Sequence, residues 1–414
     1  NDGGSTYSNI GTITINVTAP ATSTFHCVQN VTTNLPDYNQ PYNQTNGPTR
    51  SNTGRLFEDF DAWCAPTCGS QLLSYWYLEH KKLFTTQAST VYGDPDWNYY
   101  QLDSNRKQPY IINKLEIADI GWHMNTNNLG NQGMSSNSAH IGTFVSDIHK
   151  GLWNTVKAKN SLSIQQVVIG GTYITITLFE PHSYQVNDKV VIEGYNYQDL
   201  NNEWTIVSIP DAPTNLKFKI DPSNISNFYI QGTNNGGGAN ALVRNIEIGI
   251  STVSNSFAYG YDTDNTTQQI KPAMNYALTN TNMFDDIKNE INNNRPVIIN
   301  FISYHLLDLN KKSTIQHNSE TLTDVSYYKI QPQGPINVEN EIREQYNYGE
   351  DGFNIGHSCI AVALIPKGST YDISMGNNSW LIVKDNDPTT SEYVAIEFDI
   401  GVINSISKMH LKNL

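Results

Sequence analysis

Apolar residues recur at helical spacing in three parts of this 414-residue chain. One helix is predicted to follow Cys64 and to end near His80. Its apolar residues Leu72, Leu73 and Trp76 stand at positions i, i+1 and i+4, which lie on one face of a helix. A second is predicted from about residue 147 to residue 159. A third covers residues 284–291 and carries its apolar residues on one face. Each of these helices needs a sheet or another helix to cover its apolar side.

Short apolar runs predict strands after the third helix. The predicted strands occupy residues 295–301, 356–364, 380–385 and 393–398. Continuous runs of this length, bounded by polar turns, are typical of strands that are buried on both faces. Residues 305–350 are polar over a long stretch, and we interpret them as a loop on the rim of the domain.

The composition changes between residues 161 and 243, where short alternating strands follow one another with Gly, Pro and Asn-Asp turns between them. We predict a compact all-β barrel that is inserted into the main domain. The segments 182–192 and 200–206 resemble the small β-barrel modules of phage structural proteins. That resemblance implies a binding or spacing role for the insert.

The N-terminal residues 1–20 include an alternating strand at residues 11–18. This strand resembles the last strand of the Ig-like or cadherin-like repeats in large bacterial surface proteins. It is either a tail from an upstream repeat or an edge strand of the following domain. The predicted organisation is a tail at 1–20, a main domain in two parts at 21–160 and 244–414, and the inserted barrel at 161–243.

Charge and composition restrict the partners and the location. The chain has 25 Lys and Arg residues against 39 Asp and Glu residues, a net charge of −14, which argues against nucleic acid or an anionic membrane as a partner. No apolar run is long enough to span a bilayer. The chain opens with Asn1 and shows no signal peptide, so we expect a fragment or a processed product. Its Asn- and Thr-rich composition, with several N-glycosylation sequons, predicts an extracellular or a cell- or virion-surface protein.

The segment around Cys64 is the first candidate for chemistry. Pro66 suits the first turn of a helix, because its φ is fixed and its missing N–H would be unpaired there. Cys64 is then at the helix N-terminus, where the helix dipole favours the thiolate, the nucleophilic form of cysteine. A buried structural cysteine or one half of a disulfide is the alternative.

A distant histidine and a distant aspartate extend this candidate. His357 begins an apolar strand and Asp385 ends the next one. The chain order is therefore nucleophile, base and orienting residue, in which the carboxylate fixes the tautomer of the imidazole ring. Asp387 is the alternative for the third role, because strand parity points it the same way as Asp385.

Four motifs in this order resemble those of the papain-like cysteine peptidases, and those of the C39-like peptidases most closely. They are Cys64-Ala65-Pro66-Thr67 followed by Leu73, Tyr75 and Trp76; the helix 284–291 followed by Arg295-Pro296-Val297; Gly356-His357; and Val383-Lys384-Asp385-Asn386-Asp387-Pro388. The resemblance covers roughly residues 56–160 and 244–400. It implies an α+β papain-like fold, in which a cysteine-bearing helix packs on an antiparallel sheet.

The resemblance also implies roles for the residues. Cys64 would be the nucleophile, His357 the base and Asp385 the orienting residue of a cysteine endopeptidase that acts on a protein or peptide. Cys68 is an alternative nucleophile, because Cys68-Gly69-Ser70 is similar to a papain motif, although its position inside the helix is less favourable. A disulfide between Cys68 and Cys27 is a further alternative.

The chain departs from the family at Glu58, where papain-like enzymes carry a glutamine that donates to the oxyanion. The donors would then be the Cys64 N–H together with Asn52 or Gln71. This departure keeps a second function open: a weakly active or inactive peptidase fold that serves as a surface structural or adhesion protein. Its partners would be neighbouring domains or copies of a larger surface protein.

No spacing of His, Cys, Asp and Glu residues along the chain matches a known metal site. The acidic segments 262–265 and 385–387 do not match an EF-hand loop. The sequence therefore predicts neither a metal ion nor a cofactor.

Overall fold

The structure is a computed structural model, and every structural statement below concerns the residues that it describes. These are residues 25–37, 64–80, 99–101, 109–111, 120–121, 123–124, Thr126, Thr143, 145–170, 172–224, 232–235, 241–257, 259–263, 270–277, 280–301, 306–330, 357–367, 379–386, 390–398 and 403–412. The predicted N-terminal strand at residues 11–18 lies outside this set.

The described residues form mainly strands and a few helices. The helices are α1 (Val31–Asn34), α2 (Cys64–His80), α3 (Val145–Lys159) and α4 (Asn280–Asn292), with 3₁₀ turns at Gln198–Leu200 and Pro222–Asn224. The strands are β1 (His26–Cys27), β2 (Tyr99–Gln101), β3 (Pro109–Ile111), β4 (Leu162–Gly170), β5 (Tyr173–Leu178), β6 (Lys189–Glu193), β7 (Glu203–Ser208), β8 (Lys217–Ile220), β9 (Gly232–Asn235), β10 (Leu242–Asn245), β11 (Ile250–Phe257), β12 (Tyr259–Thr263), β13 (Ile270–Ala277), β14 (Val297–Phe301), β15 (Leu306–His317), β16 (Glu320–Ile330), β17 (His357–Ile365), β18 (Trp380–Lys384), β19 (Tyr393–Glu397) and β20 (Ile403–Leu411).

A nine-stranded sheet organises the main part of the chain. Its strand order is β11-β20-β14-β17-β18-β19-β16-β15, and β1 pairs with the far half of β17. All neighbouring strands are antiparallel except β16 and β19, which are parallel. The mixture of this sheet with separate helices makes the chain an α+β protein, which confirms the predicted class at that level.

Strand β17 is the centre of the sheet. It pairs with β18 on one side, and with β14 and then β1 on the other. All nine of its residues are buried, which explains why its sequence is a continuous apolar run rather than an alternation. Helix α2 packs against β17 and β14, and α4 also contacts both strands.

Helix α2 buries the stripe that its sequence predicts. Leu72 and Leu73 are fully buried and Trp76 is 3% exposed. The helix begins at Cys64, two residues before the Pro66 signal. A cysteine at the first helical position keeps its backbone N–H free of intrahelical bonds.

The predicted β-barrel is present. Strands β4 to β8 and β10 close into a six-stranded barrel in the order β10-β6-β7-β8-β5-β4, because β10 pairs with both β6 and β4. Strand β9 adds to the outside edge of β4. The barrel has its own core of buried side chains, which is distinct from the core of the large sheet.

One element differs from its prediction. The polar composition of residues 305–350 predicts a rim loop, whereas residues 306–330 form the hairpin of β15 and β16. The turn contains Asn318, whose φ of 52° lies in the left-handed region that asparagine tolerates. Ile315 and Leu322 are register partners, and both are buried, as is Val325. A few buried apolar residues therefore suffice for a strand pair on the edge of the sheet.

Candidate active site

Cys64 lies where the helix dipole can act on it. It is the first residue of α2, and its side chain is half-buried. The His357 ring and Ser358 both act on the sulfur and favour its ionised form. The N-terminal end of a helix stabilises an anion at this position.

The pKa of the Cys64 thiol lies below its ordinary value. Burial works to raise it, but the hydrogen bond and positive charge of His357 and the hydrogen bonds from Ser358 outweigh burial. The sulfur is therefore held in an environment that favours the thiolate over the thiol.

His357 is the first residue of β17 and is buried. Its Nε2 atom lies 2.8 Å from Asp385 Oδ1. Burial lowers the pKa of the ring, whereas the Cys359 sulfur and the Asp385 carboxylate raise it, and the pKa lies well above its usual value. Because Nε2 is engaged by Asp385, Nδ1 is the ring nitrogen that serves Cys64.

Asp385 directly follows β18 and is fully buried. Its Oδ2 atom accepts a hydrogen bond of 2.7 Å from Thr390 Oγ1, and its backbone N–H donates to the Glu392 carbonyl at 3.1 Å. The carboxylate is thus fixed from both sides. Asp387, the alternative third residue, lies outside the described residues.

Cys68, the alternative nucleophile, lies one turn inside α2. Its sulfur is fully buried, donates to the Ser358 carbonyl at 3.0 Å and accepts from Asn386 Nδ2 at 3.0 Å. Burial, together with the neighbouring sulfurs of Cys359 and Cys64, raises its pKa well above the usual value. These surroundings favour a protonated, structural thiol.

The four cysteines of the chain all belong to the described residues, and all four are free thiols. The alternative of a disulfide between Cys27 and Cys68 is therefore wrong in this structure. Burial, with the charge of Glu320, raises the pKa of the Cys27 thiol to about 12. Cys27 is accordingly an inert thiol at neutral pH.

The oxyanion donors remain a prediction. Asn52 and Glu58 lie outside the described residues. Gln71 is buried, and its Nε2 atom donates to the Pro36 carbonyl at 3.2 Å. That contact ties α2 to the segment that follows α1. The Cys64 N–H is the described donor that the start of a helix leaves available.

Asn386 is a site residue that the sequence reasoning missed. It is fully buried, and its Nδ2 atom lies within hydrogen-bond distance of the Cys64 carbonyl at 3.1 Å and of the Ser358 carbonyl at 3.1 Å. A single amide thus connects the start of α2 to the start of β17. The one feature of the sequence that could have indicated Asn386 as a site residue is its position between the two candidate aspartates, Asp385 and Asp387.

A buried polar row lies behind Ser358. Ser358 Oγ donates to Asn300 Oδ1 at 2.8 Å, and Asn300 Nδ2 donates to Ser405 Oγ at 2.9 Å. These three residues are register partners on β17, β14 and β20. Because a hydroxyl has one proton, Ser358 can serve Asn300 or the Cys64 sulfur at any moment, but not both.

No protein-family model matches the chain, and no curated protein matches it. Among the helices of the described residues, none has the length and apolar character needed to cross a membrane.

Proposed function

We propose that the chain is a papain-like cysteine peptidase that cleaves peptide bonds through a thioester on Cys64. The observation that carries the proposal is the contact of 2.8 Å between His357 Nε2 and Asp385 Oδ1, together with the effect of the same His357 ring on the Cys64 thiol, whose pKa it lowers. A lowered pKa for the thiol and a raised pKa for the imidazole support it. Together they favour a thiolate–imidazolium pair, which is the resting state that such a nucleophile needs.

In the first half of the reaction, the Cys64 thiolate attacks the carbonyl carbon of the scissile peptide bond. The carbonyl oxygen becomes an oxyanion, which the Cys64 backbone N–H at the helix start can stabilise. His357 then gives its Nδ1 proton to the leaving nitrogen. The C–N bond breaks, the amine product leaves, and Cys64 carries a thioester.

In the second half, neutral His357 accepts a proton from water while the water oxygen attacks the thioester. The C–S bond breaks, the carboxylic acid product leaves, and the thiolate–imidazolium pair is restored. Asp385 accepts the Nε2–H bond throughout. It orients the ring and stabilises its positive charge.

The substrate class is a protein or peptide, and the setting is extracellular or on a cell or virion surface. The supporting features are the acidic net charge of −14 and the composition of the chain. We propose that the barrel acts as a binding or spacing module beside the peptidase part.

The test is the rate at which iodoacetamide alkylates Cys64 as a function of pH, measured by peptide mass spectrometry. We expect fast alkylation below about pH 6.5, since a free cysteine titrates near pH 8.5. His357→Ala should abolish the fast phase. His317→Ala is the matched control, because this histidine lies on β15 against Phe25 and should leave the profile unchanged.

Cleavage of a peptide library by the same preparation then reads out the peptide-bond chemistry. If Cys64 reacts like an ordinary thiol in the unmodified chain, the peptidase proposal is wrong. The structural or adhesion function would then be the better description of this fold.

A further inference from the structure

A third sulfur lies beside His357 and Asp385. Cys359 is two residues after His357 on β17, so the two side chains lie on the same face of the strand. The Cys359 sulfur is 3.6 Å from Asp385 Oδ1. Donor atoms of His357, Cys359 and Asp385 all lie within 4.8 Å of one another, and all three residues are buried.

This set of donors matches the preferences of zinc. Zn²⁺ binds cysteine sulfur at about 2.3 Å, histidine nitrogen at about 2.0–2.1 Å and carboxylate oxygen at about 2.0–2.2 Å. Donors at these distances around a tetrahedral ion are about 3–4 Å apart, so small side-chain shifts would let the three residues surround an ion. Mg²⁺ and Ca²⁺ prefer oxygen ligands, which disfavours them here.

We propose that His357, Cys359 and Asp385 form a binding site for a thiophilic divalent metal ion of the Zn²⁺ class. Binding forms bonds from the ion to His357 Nε2, Cys359 Sγ and Asp385 Oδ1. The Cys359 thiol and the Nε2–H group each release their proton to the buffer, and no electron is transferred. The fourth ligand is a water molecule.

The consequence concerns the same groups that the proposed reaction uses. An ion on Nε2 and Oδ1 replaces the hydrogen bond that orients the His357 ring, and its positive charge disfavours the imidazolium. The metal is therefore a reversible inhibitor. This inhibitory effect rests on the proposed function, whereas the binding itself does not require any activity.

The experiment titrates the full chain with Cd²⁺, in a phosphine reductant, and records the thiolate-to-metal absorption band; Zn²⁺ then competes for the site. We expect saturable binding by the unmodified chain. Cys359→Val should weaken binding by more than about 100-fold, since removing even an outer hydrogen-bond partner of a metal ligand costs about 10- to 100-fold. Cys27→Val is the matched control, because Cys27 is also a buried free thiol and its strand β1 pairs with the same strand, β17; it should bind like the unmodified chain.

Circular dichroism checks that each variant is folded, and Cys359→Ala replaces Cys359→Val if the larger side chain disturbs the core. The proposal is overturned if neither Cys359 variant loses affinity, or if Cys27→Val loses as much. It is also overturned if Cys64→Ala abolishes the absorption band while Cys359→Val keeps it, since the ion would then be a ligand of Cys64.

The metal-free alkylation profile of Cys64 separates this proposal from the peptidase function. If the chain binds Cd²⁺ through Cys359 but Cys64 is alkylated like an ordinary thiol, the metal-site proposal is supported and the peptidase proposal is wrong. If Cys64 is alkylated fast at low pH but no Cd²⁺ binding depends on Cys359, the peptidase proposal is supported and the metal-site proposal is wrong. Where both hold, Zn²⁺ slows the alkylation of Cys64 in the unmodified chain and not in Cys359→Val.

Discussion

His357 Nε2 lies 2.8 Å from Asp385 Oδ1, and the two side chains are 7% and 0% exposed. His357 begins β17 and Asp385 follows the end of β18. Because these strands are antiparallel neighbours, the first residue of β17 and the residue that follows β18 lie next to each other at the same end of the strands. Strand pairing therefore sets the distance between the proposed base and its acceptor.

Removing the Asp385 charge should narrow the pH range in which the thiolate–imidazolium pair exists. The Cys64 pKa is lowered and the His357 pKa is raised, so peptidase kcat/KM should be bell-shaped, with Cys64 setting the acid limb and His357 the alkaline limb. In Asp385→Asn, the His357 pKa falls because the carboxylate charge is lost, and the alkaline limb moves to lower pH. Because the ring then carries its positive charge over a narrower pH range, the Cys64 pKa rises, and the alkylation of Cys64 begins at a higher pH.

Asp387→Asn is the matched control for that experiment, because Asp387 is the alternative third residue. We expect its profile to follow the unmodified chain. A profile that shifts in Asp387→Asn and stays fixed in Asp385→Asn would assign the orienting role to Asp387.

Asn386→Ala should lower the free energy of unfolding by about 1–3 kcal/mol. The variant removes the amide that donates to the Cys64 and Ser358 carbonyls and to the Cys68 sulfur. Losing these buried hydrogen bonds between α2 and β17 costs about this much. Urea unfolding measures the effect. Asn154→Ala, at an exposed position on α3, should not lower the free energy of unfolding, because alanine is the better helix former.

Leu72→Ala should destabilise the main part of the chain by about 2–5 kcal/mol, because it removes a fully buried side chain from the face of α2. Leu307→Ala makes the same chemical change where the leucine is 44% exposed, and it should cost less than about 0.5 kcal/mol. The two midpoints are compared in one thermal melt series. Equal shifts would mean that α2 does not pack on the sheet as described.

The barrel should fold without the rest of the chain. A fragment of residues 160–247 contains every strand that closes the barrel and its separate core, so we expect a cooperative thermal transition by circular dichroism. A fragment that ends at residue 240 lacks β10, which leaves one edge of β6 unpaired and removes the strand that links β6 to β4 and closes the barrel. That shorter fragment should be unfolded or aggregated, and a folded one would contradict the closure by β10.

Local patterns of the sequence were sufficient for the elements that carry the site. The stripe of Leu72, Leu73 and Trp76 predicted α2, and the apolar run after His357 predicted β17. The alternating strands predicted the barrel. In each of these cases, side chains a few residues apart on one face carry the information.

Two residues of the site have contacts that depend on neighbours far along the chain. Asn386 and Cys359 each contact the site across strands or between a strand and a helix. The β15–β16 hairpin is not predicted by the sequence pattern, because its polar, solvent-facing residues outnumber its buried apolar residues. An edge strand needs apolar residues on one face only.

The sequence by itself determined the helix that presents Cys64, the buried strand that begins at His357, and an α+β chain with an all-β barrel. These follow from periodicity and local backbone preference, which act over a few residues. Only the tertiary structure decided which strands are neighbours. Strand pairing brings Asp385, Cys359 and Asn386 to one edge of the sheet, because contacts between residues remote in sequence are fixed by the packing of the whole core and not by any local pattern.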